Sequence, residues 1–280
     1  MAQIADILRE ATQVLQNAGV PEARREAGSL LGFVIEKDRT FLIAHANDEL
    51  DDQQVDQFRD VIERRSAGEP LQYITGVQDF FGREFRVTPD VLIPRPETEL
   101  LVEAALEVSR AATAICDVGT GSGCIALTLL CELKNARAVA IDKSPAALEI
   151  ARFNAQKLLV ADRAEFIVSD CFDSLDQHEF DLVVSNPPYV SAGVIGGLQR
   201  EVRDHEPLIA LSPGPDGLSV IRRLLQEAPA FLKKDGHLIM EIGFDQGEAI
   251  QRLIDANVWQ LLEIRPDLQC IPRIVALRKR

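Results

Sequence analysis

The sequence has 280 residues, a net charge of −14 and 46% hydrophobic residues, a composition typical of a soluble protein with one large or two modest domains. No apolar run approaches the length of a membrane span, and the N-terminus lacks the basic and apolar pattern of a signal peptide. The acidic balance disfavours a stable grip on nucleic acid, which needs a basic face, and favours a small or protein substrate.

Residues 1–67 predict a small helical domain. Apolar residues recur at helical spacing over 4–18, a second helix begins at Pro21, and two more are predicted over about 37–44 and 52–66. This module is too short for chemistry by itself. Its position ahead of a linker suggests that it recognises the substrate.

Residues 68–93 change character and predict a β-hairpin linker. The runs 69–76 and 80–87 are interpreted as two extended segments around a turn. The prolines of the next run, 94–99, hold it extended before a helix. A larger domain is expected to cover 94–280.

From about residue 112 strands and helices alternate, which predicts an α/β fold with a mostly parallel sheet, helices on both faces and an antiparallel C-terminal pair. Strands are predicted near 113–118, 137–142, 164–169, 180–185, 236–242, 258–264 and 270–278, and helices near 122–133, 144–157, 215–233 and 245–256.

The run 115–126 predicts an apolar strand, a glycine-rich turn and a helix start. Gly119, Gly121 and Gly123 allow positive φ and a close approach of the backbone to a ligand. Asp142 ends the next strand about 20 positions later, where a carboxylate suits a ribose diol. The glycines alone do not separate a nicotinamide cofactor from S-adenosylmethionine, and a turn without a ligand is the structural alternative.

The most informative motif is Asn186-Pro187-Pro188-Tyr189, directly after a strand-like run. Two consecutive prolines end the strand and fix φ at two positions. The rigid turn presents an amide side chain, backbone carbonyls and an aromatic face. Such a group can accept both hydrogens of a planar NH₂ while the ring covers its plane. The alternative is a tight turn at a strand end with no further role.

These features are predicted to meet at one edge of the sheet. Gly119, Asp142, Asp170 and Asn186 each fall at the carboxyl end of a predicted parallel strand. Ligands of such sheets bind at the carboxyl ends of the strands. We therefore expect one composite site.

Cysteine and histidine usage predicts neither a disulfide framework nor a metal site. The five cysteines lack C-x-x-C spacing and suit a reducing cytoplasm. The four histidines, His45, His178, His205 and His237, form no metal-ligand pattern.

The glycine loop, the acidic strand end and the later Asn-Pro-Pro-Tyr together resemble class I S-adenosylmethionine-dependent methyltransferases that modify amines or amides. More narrowly, the chain resembles the HemK/PrmC family, the peptide chain release factor glutamine methyltransferases. The motifs that carry this resemblance are Glu69-Pro70-Leu71-Gln72-Tyr73, Phe81-Gly82, Ile93 to Glu99, the glycine loop, Asn186 to Tyr189, Glu206-Pro207, Asp216-Gly217-Leu218 and Glu241-Ile242-Gly243.

The resemblance implies a Rossmann-like domain that binds S-adenosylmethionine. It implies methyl transfer to the glutamine amide of the Gly-Gly-Gln motif in class I release factors. The residues implied in cofactor binding are Gly119, Thr120, Gly121, Ser122, Gly123, Asp142, Asp170, Cys171, Phe172 and Asn186. The residues implied in catalysis are Asn186, Pro187 and Tyr189, and Pro188 joins them in binding the substrate.

The chain departs from the family pattern at two places. Family members often carry an aromatic residue directly after the acid that ends the third strand, whereas Asp170 is followed by Cys171 and then Phe172. Either the Phe172 ring stacks on the adenine of the cofactor, or Cys171 contacts the adenine and packs less tightly against it. Before Asp216 the usual glycine pair is replaced by the run 212–215, Ser-Pro-Gly-Pro, which predicts a stiffer loop.

Three alternatives share parts of this pattern. A glutamine methyltransferase for a ribosomal protein has the same core, and the N-terminal domain decides between them. An adenine-amine nucleic-acid methyltransferase uses a similar grip on NH₂, but it needs a basic target-reading region. A non-catalytic binding module is disfavoured because the motif at 186–189 is intact.

Overall fold

A computed structural model describes residues 2–176 and 179–280. The chain forms two compact units, Met1–Gly76 with Gln199–His205 and Val77–Leu198 with Glu206–Arg280. Over the described ranges, no helix is long and apolar enough to cross a membrane, and no three His, Cys, Asp or Glu side chains are grouped to hold a metal ion. His178 lies outside the described residues.

The first unit is a helical bundle, as predicted. Its main helices are α1 (Ile4–Asn17), α2 (Ala23–Ile35), α3 (Arg39–Ala44) and α4 (Asp52–Ser66), with a short antiparallel pair of β1 (Ala2–Gln3) and β2 (Glu49–Leu50). Helix α1 buries Ile4, Ile7, Ala11 and Leu15, which share one face because they lie three or four residues apart. Helix α4 is capped by the preceding residue, Asp51, whose carboxylate accepts the backbone N–H of Gln54 at 2.8 Å.

A buried arginine holds the later segment in this unit. The side chain of Arg65 on α4 is only 2% exposed and pairs with Glu26 of α2 at 2.5 Å and with Glu201. A buried guanidinium needs such partners because an unpaired charge away from water is costly. The short helix Arg200–His205 therefore belongs with the bundle although it comes from the second half of the sequence.

The prediction of an extended segment over residues 69–76 is wrong. Residues Leu71–Thr75 form a helix, α5, which follows Pro70 and ends at Gly76 in the left-handed region, with φ 77°. The hairpin itself starts later, with β3 (Val77–Phe80) antiparallel to β4 (Arg83–Arg86). The division into 1–67, 68–93 and 94–280 stays a prediction.

The second unit contains a seven-stranded sheet in the order β10-β11-β9-β8-β5-β6-β7 within the described residues. Its strands are β5 (Ala114–Val118), β6 (Arg137–Asp142), β7 (Ala164–Val168), β8 (Phe180–Ser185), β9 (Leu232–Glu241), β10 (Trp259–Pro266) and β11 (Pro272–Lys279). All neighbouring pairs from β9 to β7 are parallel, and β11 is antiparallel to both β9 and β10. This confirms the predicted mostly parallel sheet with an antiparallel C-terminal strand.

Helices cover the sheet because its central strands are apolar on both faces. The helices of this unit are α6 (Glu99–Val108), α7 (Cys124–Glu132), α8 (Pro145–Lys157), α10 (Leu208–Leu211), α11 (Ser219–Phe231) and α12 (Gly247–Leu253). The helix Arg200–His205, described above with the first unit, is α9. One core cluster joins Leu101 of α6 and Leu127 of α7 to the sheet, and the opposite one joins Leu224 of α11 to it.

The strand order creates the place where a ligand can bind. Strand β5 lies between β6 and β8, so the chain leaves β5 toward one side of the sheet and later returns to the other. Such a reversal of strand order opens a crevice at the carboxyl ends of the strands. Gly119 and Asn186 directly follow β5 and β8, and Asp142 is the last residue of β6, so the three residues meet at this edge.

Candidate active site

The glycine loop between β5 and α7 has the predicted conformation. Gly119, Gly121 and Gly123 have φ values of 74°, 55° and 82°. A Cβ at Gly119 or Gly121 would meet no atom within 4 Å, whereas one at Gly123 would lie 2.8 Å from Leu127 Cδ1. The first two glycines thus leave open space for a ligand, and the third permits close packing of the loop on α7.

Asp142 is fixed by the loop that it faces. Its Oδ2 accepts the N–H of Gly121 at 2.8 Å, and its Oδ1 accepts the N–H of Ser144 at 2.8 Å. Burial raises the pKa of Asp142, while these backbone donors oppose that shift. A carboxylate offers about four acceptor positions, so the oriented group can still accept hydrogen bonds from a diol.

A second carboxylate, Asp117, lies fully buried beneath the loop. Its Oδ2 accepts from the hydroxyl of Thr120 at 2.7 Å and from the N–H of Ala126 at 3.2 Å. Burial raises the pKa of Asp117 to about 7. These contacts make Asp117 a residue that orients the glycine loop.

These elements enclose a cavity of about 410 Å³. Nine of the predicted site residues line it: Gly119, Thr120, Gly121, Ser122, Asp142, Asp170, Cys171, Asn186 and Pro188. Thr98, Leu92, Ile209 and Arg223 contribute to the wall without having been assigned to the site from sequence. Gly123, Phe172, Pro187 and Tyr189 are not among its lining residues in the described part of the chain.

Phe172 points into the core. It is 3% exposed and its ring stacks on Phe231 with centroids 4.8 Å apart. Cys171, with φ 50°, is the residue that reaches the cavity. Cys171 therefore lines the cavity and the Phe172 ring does not, while the contact with adenine stays a prediction.

Asp170 lines the cavity but its carboxylate is held by cations. Oδ2 accepts from Lys143 Nζ at 2.8 Å and Oδ1 from Arg223 at 2.9 Å. The hydrogen bond from Lys143 is the main cause that lowers the pKa of Asp170. Asp170 therefore lines the cavity as an ionised side chain that two cations hold in place.

A hydrogen bond fixes the orientation of the Asn186 side-chain amide in the turn at 186–189. Asn186 Nδ2 donates to Thr98 Oγ1 at 3.1 Å, which leaves Oδ1 as the acceptor atom of this side chain. Pro187 is buried, whereas Pro188 lines the cavity. The turn therefore offers an oriented amide oxygen at the mouth of β8.

Tyr189 is tied at both of its ends. Its hydroxyl donates to Glu241 Oε1 at 3.0 Å, and its carbonyl accepts from Gln246 Nε2 at 3.0 Å. Gly217, with φ 71°, packs so tightly here that a Cβ would lie 2.3 Å from the Tyr189 carbonyl oxygen. The motifs that begin at Asp216 and Glu241 thus act as supports of this turn.

Sequence reasoning missed the roles of Thr98, Glu241 and Gln246. Thr98 lies between two acidic residues, Glu97 and Glu99. Glu99 accepts the N–H of Phe81 in the hairpin turn at 2.8 Å. Thr98 and Glu241 both belong to motifs that carry the family resemblance. Membership in those motifs indicates that the two residues matter, but it does not predict the hydrogen bonds that they make.

Two family models match the chain: the PrmC N-terminal domain over residues 6–76 and the methyltransferase small domain over residues 96–198. Among similar sequences, a release factor glutamine methyltransferase of Cereibacter sphaeroides is 44% identical over 98% of each chain. Another of Koribacter versatilis is 42% identical over 95% of this chain and 94% of its own.

The chain is also 38% identical to a bifunctional methyltransferase of Rickettsia felis, over 97% of this chain but only 57% of that protein. Among solved structures, a methyltransferase from Pyrococcus furiosus has a TM-score of 0.53 at 15% identity and covers 79% of this chain and 98% of its own. The hMettl16 catalytic domain has a TM-score of 0.56 at 15% identity, over 79% of this chain and 81% of its own. These structures share the fold.

Proposed function

Because this chain belongs to the release factor glutamine methyltransferase family, we propose that it transfers a methyl group from S-adenosylmethionine to the glutamine side-chain amide in the Gly-Gly-Gln motif of class I peptide chain release factors. The observation that carries this proposal is the oriented Asn186 amide at the mouth of a cavity that also contains the glycine loop and Asp142. A methyl donor and an amide acceptor can then meet in one crevice.

The cavity fits the cofactor. Open space above Gly119 and Gly121 allows the backbone to approach the amino-acid and ribose parts. The Asp142 carboxylate suits the ribose hydroxyls, and Ser122 lines the cavity with a buried hydroxyl that has no partner in the described residues. When bound, S-adenosylmethionine would supply a methyl group activated by its sulfonium, and cleavage of the S–CH₃ bond would leave S-adenosylhomocysteine.

The protein's task at the acceptor is positioning, since an amide nitrogen is a poor nucleophile whose lone pair is delocalised into the carbonyl. Asn186 Oδ1 and the Pro187 carbonyl accept the two amide hydrogens and aim the nitrogen at the methyl group. Tyr189 covers the amide plane. A strong base is unnecessary, because the nitrogen becomes acidic as the N–C bond forms and then loses one proton to solvent.

The partners follow from the same proposal. The acidic chain, with net charge −14, favours a protein acceptor over stable binding to nucleic acid. The helical first unit is proposed to recognise the release factor, and the site of action is proposed to be the cytoplasm.

A transfer assay separates this function from its alternatives. The full chain with labelled S-adenosylmethionine is offered an intact class I release factor, ribosomal proteins or duplex DNA. Label should enter the release factor and disappear when its Gly-Gly-Gln glutamine is replaced by glutamate. Preferred labelling of a ribosomal protein or of adenine in DNA would assign the chain to that alternative.

Replacing Gly217 by alanine should lower turnover about tenfold, because the new Cβ must push the Tyr189 carbonyl from a contact of 2.3 Å and shift the acceptor turn. Gly214→Ala is the matched control. Gly214 also has a positive φ, of 129°, but a Cβ there meets no atom within 4 Å. Steady-state rates and circular dichroism of both variants check this. Equal losses in the two would mean that backbone strain alone is responsible.

A further inference from the structure

We propose that Glu241 is a positioning residue for methyl transfer, which acts through Thr98 and Tyr189 to fix the orientation of the Asn186 amide. This inference rests on the proposed function, because it explains how the acceptor grip is held. The inference adds Glu241, the last residue of β9, to the residues that shape the site. Glu241 does not line the cavity within the described residues, so its effect must pass through its neighbours.

The three side chains form one connected network with Glu241. Glu241 is 1% exposed and Thr98 is 2% exposed. Glu241 Oε2 accepts from the Thr98 hydroxyl at 2.6 Å, and Oε1 accepts from the Tyr189 hydroxyl at 3.0 Å. Thr98 Oγ1 in turn accepts from Asn186 Nδ2 at 3.1 Å. Both ends of the acceptor turn are thereby joined to one carboxylate.

The sheet explains why these residues meet. Strands β8 and β9 are parallel neighbours with Ser185 opposite Met240, so Asn186, directly after β8, comes next to Glu241, the last residue of β9. Thr98 closes the short helical turn before α6. The network therefore stands on rigid elements, which is what precise positioning of a side chain requires.

The direction of each hydrogen bond sets the direction of the next. A carboxylate only accepts, so the Thr98 hydroxyl must donate to Glu241 and present a lone pair to Asn186. Asn186 must then turn its NH₂ toward Thr98 and its oxygen away. Glutamine at 241 offers one acceptor oxygen and an NH₂ where the carboxylate offers two acceptor oxygens, so the hydroxyls of Thr98 and Tyr189 can no longer both be accepted. When the glutamine NH₂ faces Thr98, the Thr98 hydrogen is released to Asn186 Oδ1, which favours the flipped amide with a donor facing the substrate.

The Tyr189 hydroxyl, like that of Thr98, must donate its hydrogen bond to Glu241. Burial, followed by the charge of Glu241, holds the pKa of Tyr189 well above its usual range, so the phenol stays protonated and donates. The pKa of Glu241 is raised by burial, and its bonds from Thr98 and Tyr189 oppose that shift. The charge of Arg273 also stabilises the ionised form, but each Glu241 oxygen has one hydroxyl donor, so the loss of either donor leaves a buried oxygen without that hydrogen bond.

The test uses full-length Glu241→Gln, Thr98→Val and Thr98→Ser, with Glu248→Gln as control. Glu248 is exposed on α12, so its loss should leave activity unchanged. We expect Glu241→Gln and Thr98→Val to lower kcat by roughly 10–100-fold, as a misplaced reacting group does. Cofactor Kd should change less than about twofold, because the glycine loop and Asp142 are intact. Thr98→Ser keeps the hydroxyl and should recover most of the rate.

A double variant separates positioning from general damage. If Glu241 acts through Asn186, adding Glu241→Gln to Asn186→Ala should lower kcat little further than Asn186→Ala alone. A multiplicative loss in the double variant, or wild-type kcat in Glu241→Gln, would overturn the inference.

A readout without catalysis distinguishes this inference from the proposed function. The NMR signal of the Asn186 side-chain NH₂, assigned by its loss in Asn186→Ala, should exchange with water slowly in wild type and Thr98→Ser. Exchange should be faster in Glu241→Gln and Thr98→Val. If those signals behave as expected while no release factor is methylated, the result supports the hydrogen-bond network and rejects the proposed substrate. Unchanged exchange in Glu241→Gln would refute the network.

Discussion

Replacing Asn186 by alanine should lower turnover by roughly 10²–10³-fold, the usual consequence of removing one hydrogen bond that matters mainly at the transition state. The variant loses the amide oxygen that is proposed to accept one of the two substrate hydrogens, so the acceptor nitrogen is no longer aimed at the methyl group. Cofactor affinity should change much less, because the glycine loop and Asp142 are proposed to make most of the contacts with that ligand. Single-turnover assays at saturating cofactor measure the effect without interference from product release.

Asn186→Asp should fail as severely as Asn186→Ala. Aspartate keeps the shape and one acceptor oxygen, but it replaces the NH₂ that donates to Thr98 Oγ1 at 3.1 Å. The Thr98 hydrogen is already used by Glu241, so two oxygen lone pairs would face each other. Substantial activity in the aspartate variant would show that Asn186 serves only as an acceptor.

The control for both variants is Asn17→Ala, which removes an exposed amide at the end of α1. It should retain wild-type turnover. Near-wild-type methyl transfer by Asn186→Ala would reduce the motif at 186–189 to a structural turn.

Asp142→Ala should weaken S-adenosylmethionine binding by about 1–3 kcal/mol, or roughly 5–150-fold in Kd. Two contributions are lost together: acceptors for the ribose hydroxyls and the carboxylate that orients the Gly121 and Ser144 N–H groups. Isothermal calorimetry with S-adenosylhomocysteine measures the change. Asp162→Ala, at an exposed position, is the control.

A ligand analogue isolates the ribose contribution. The 2′,3′-dideoxy form of S-adenosylhomocysteine should bind wild type more weakly than the parent, but the two should bind Asp142→Ala with similar affinity. An equal preference for the parent in both proteins would remove Asp142 from ribose binding. Tight binding of NADH instead would contradict the choice of cofactor.

The sequence was sufficient to predict the sheet because strand ends carry strong local signals. The apolar run before Gly119 and the proline pair after β8 each mark where a strand stops. Since parallel strands share an edge, knowing where they stop also predicts which side chains meet. The cavity residues from Gly119 to Ser122, Asp142 and Asn186 were found in this way.

Failures occurred where tertiary context decides. Leu71–Thr75 contains residues that favour strands, yet Pro70 and Gly76 delimit a helix that the bundle buries. Phe172 suggested a cover for adenine, but the positive φ of Cys171 accompanies a turn in which the ring enters the core. Thr98 and Glu241 are 143 residues apart, and no local pattern encodes such a hydrogen bond.

Tandem mass spectrometry of an intact class I release factor, after incubation with the full chain and methyl-labelled S-adenosylmethionine, tests the central claim most directly. The account predicts a single labelled methyl group on the side-chain nitrogen of the Gly-Gly-Gln glutamine, absent when Asn186→Ala replaces the wild-type chain. Label on another residue, or on the same glutamine with Asn186→Ala at the wild-type rate, would contradict it.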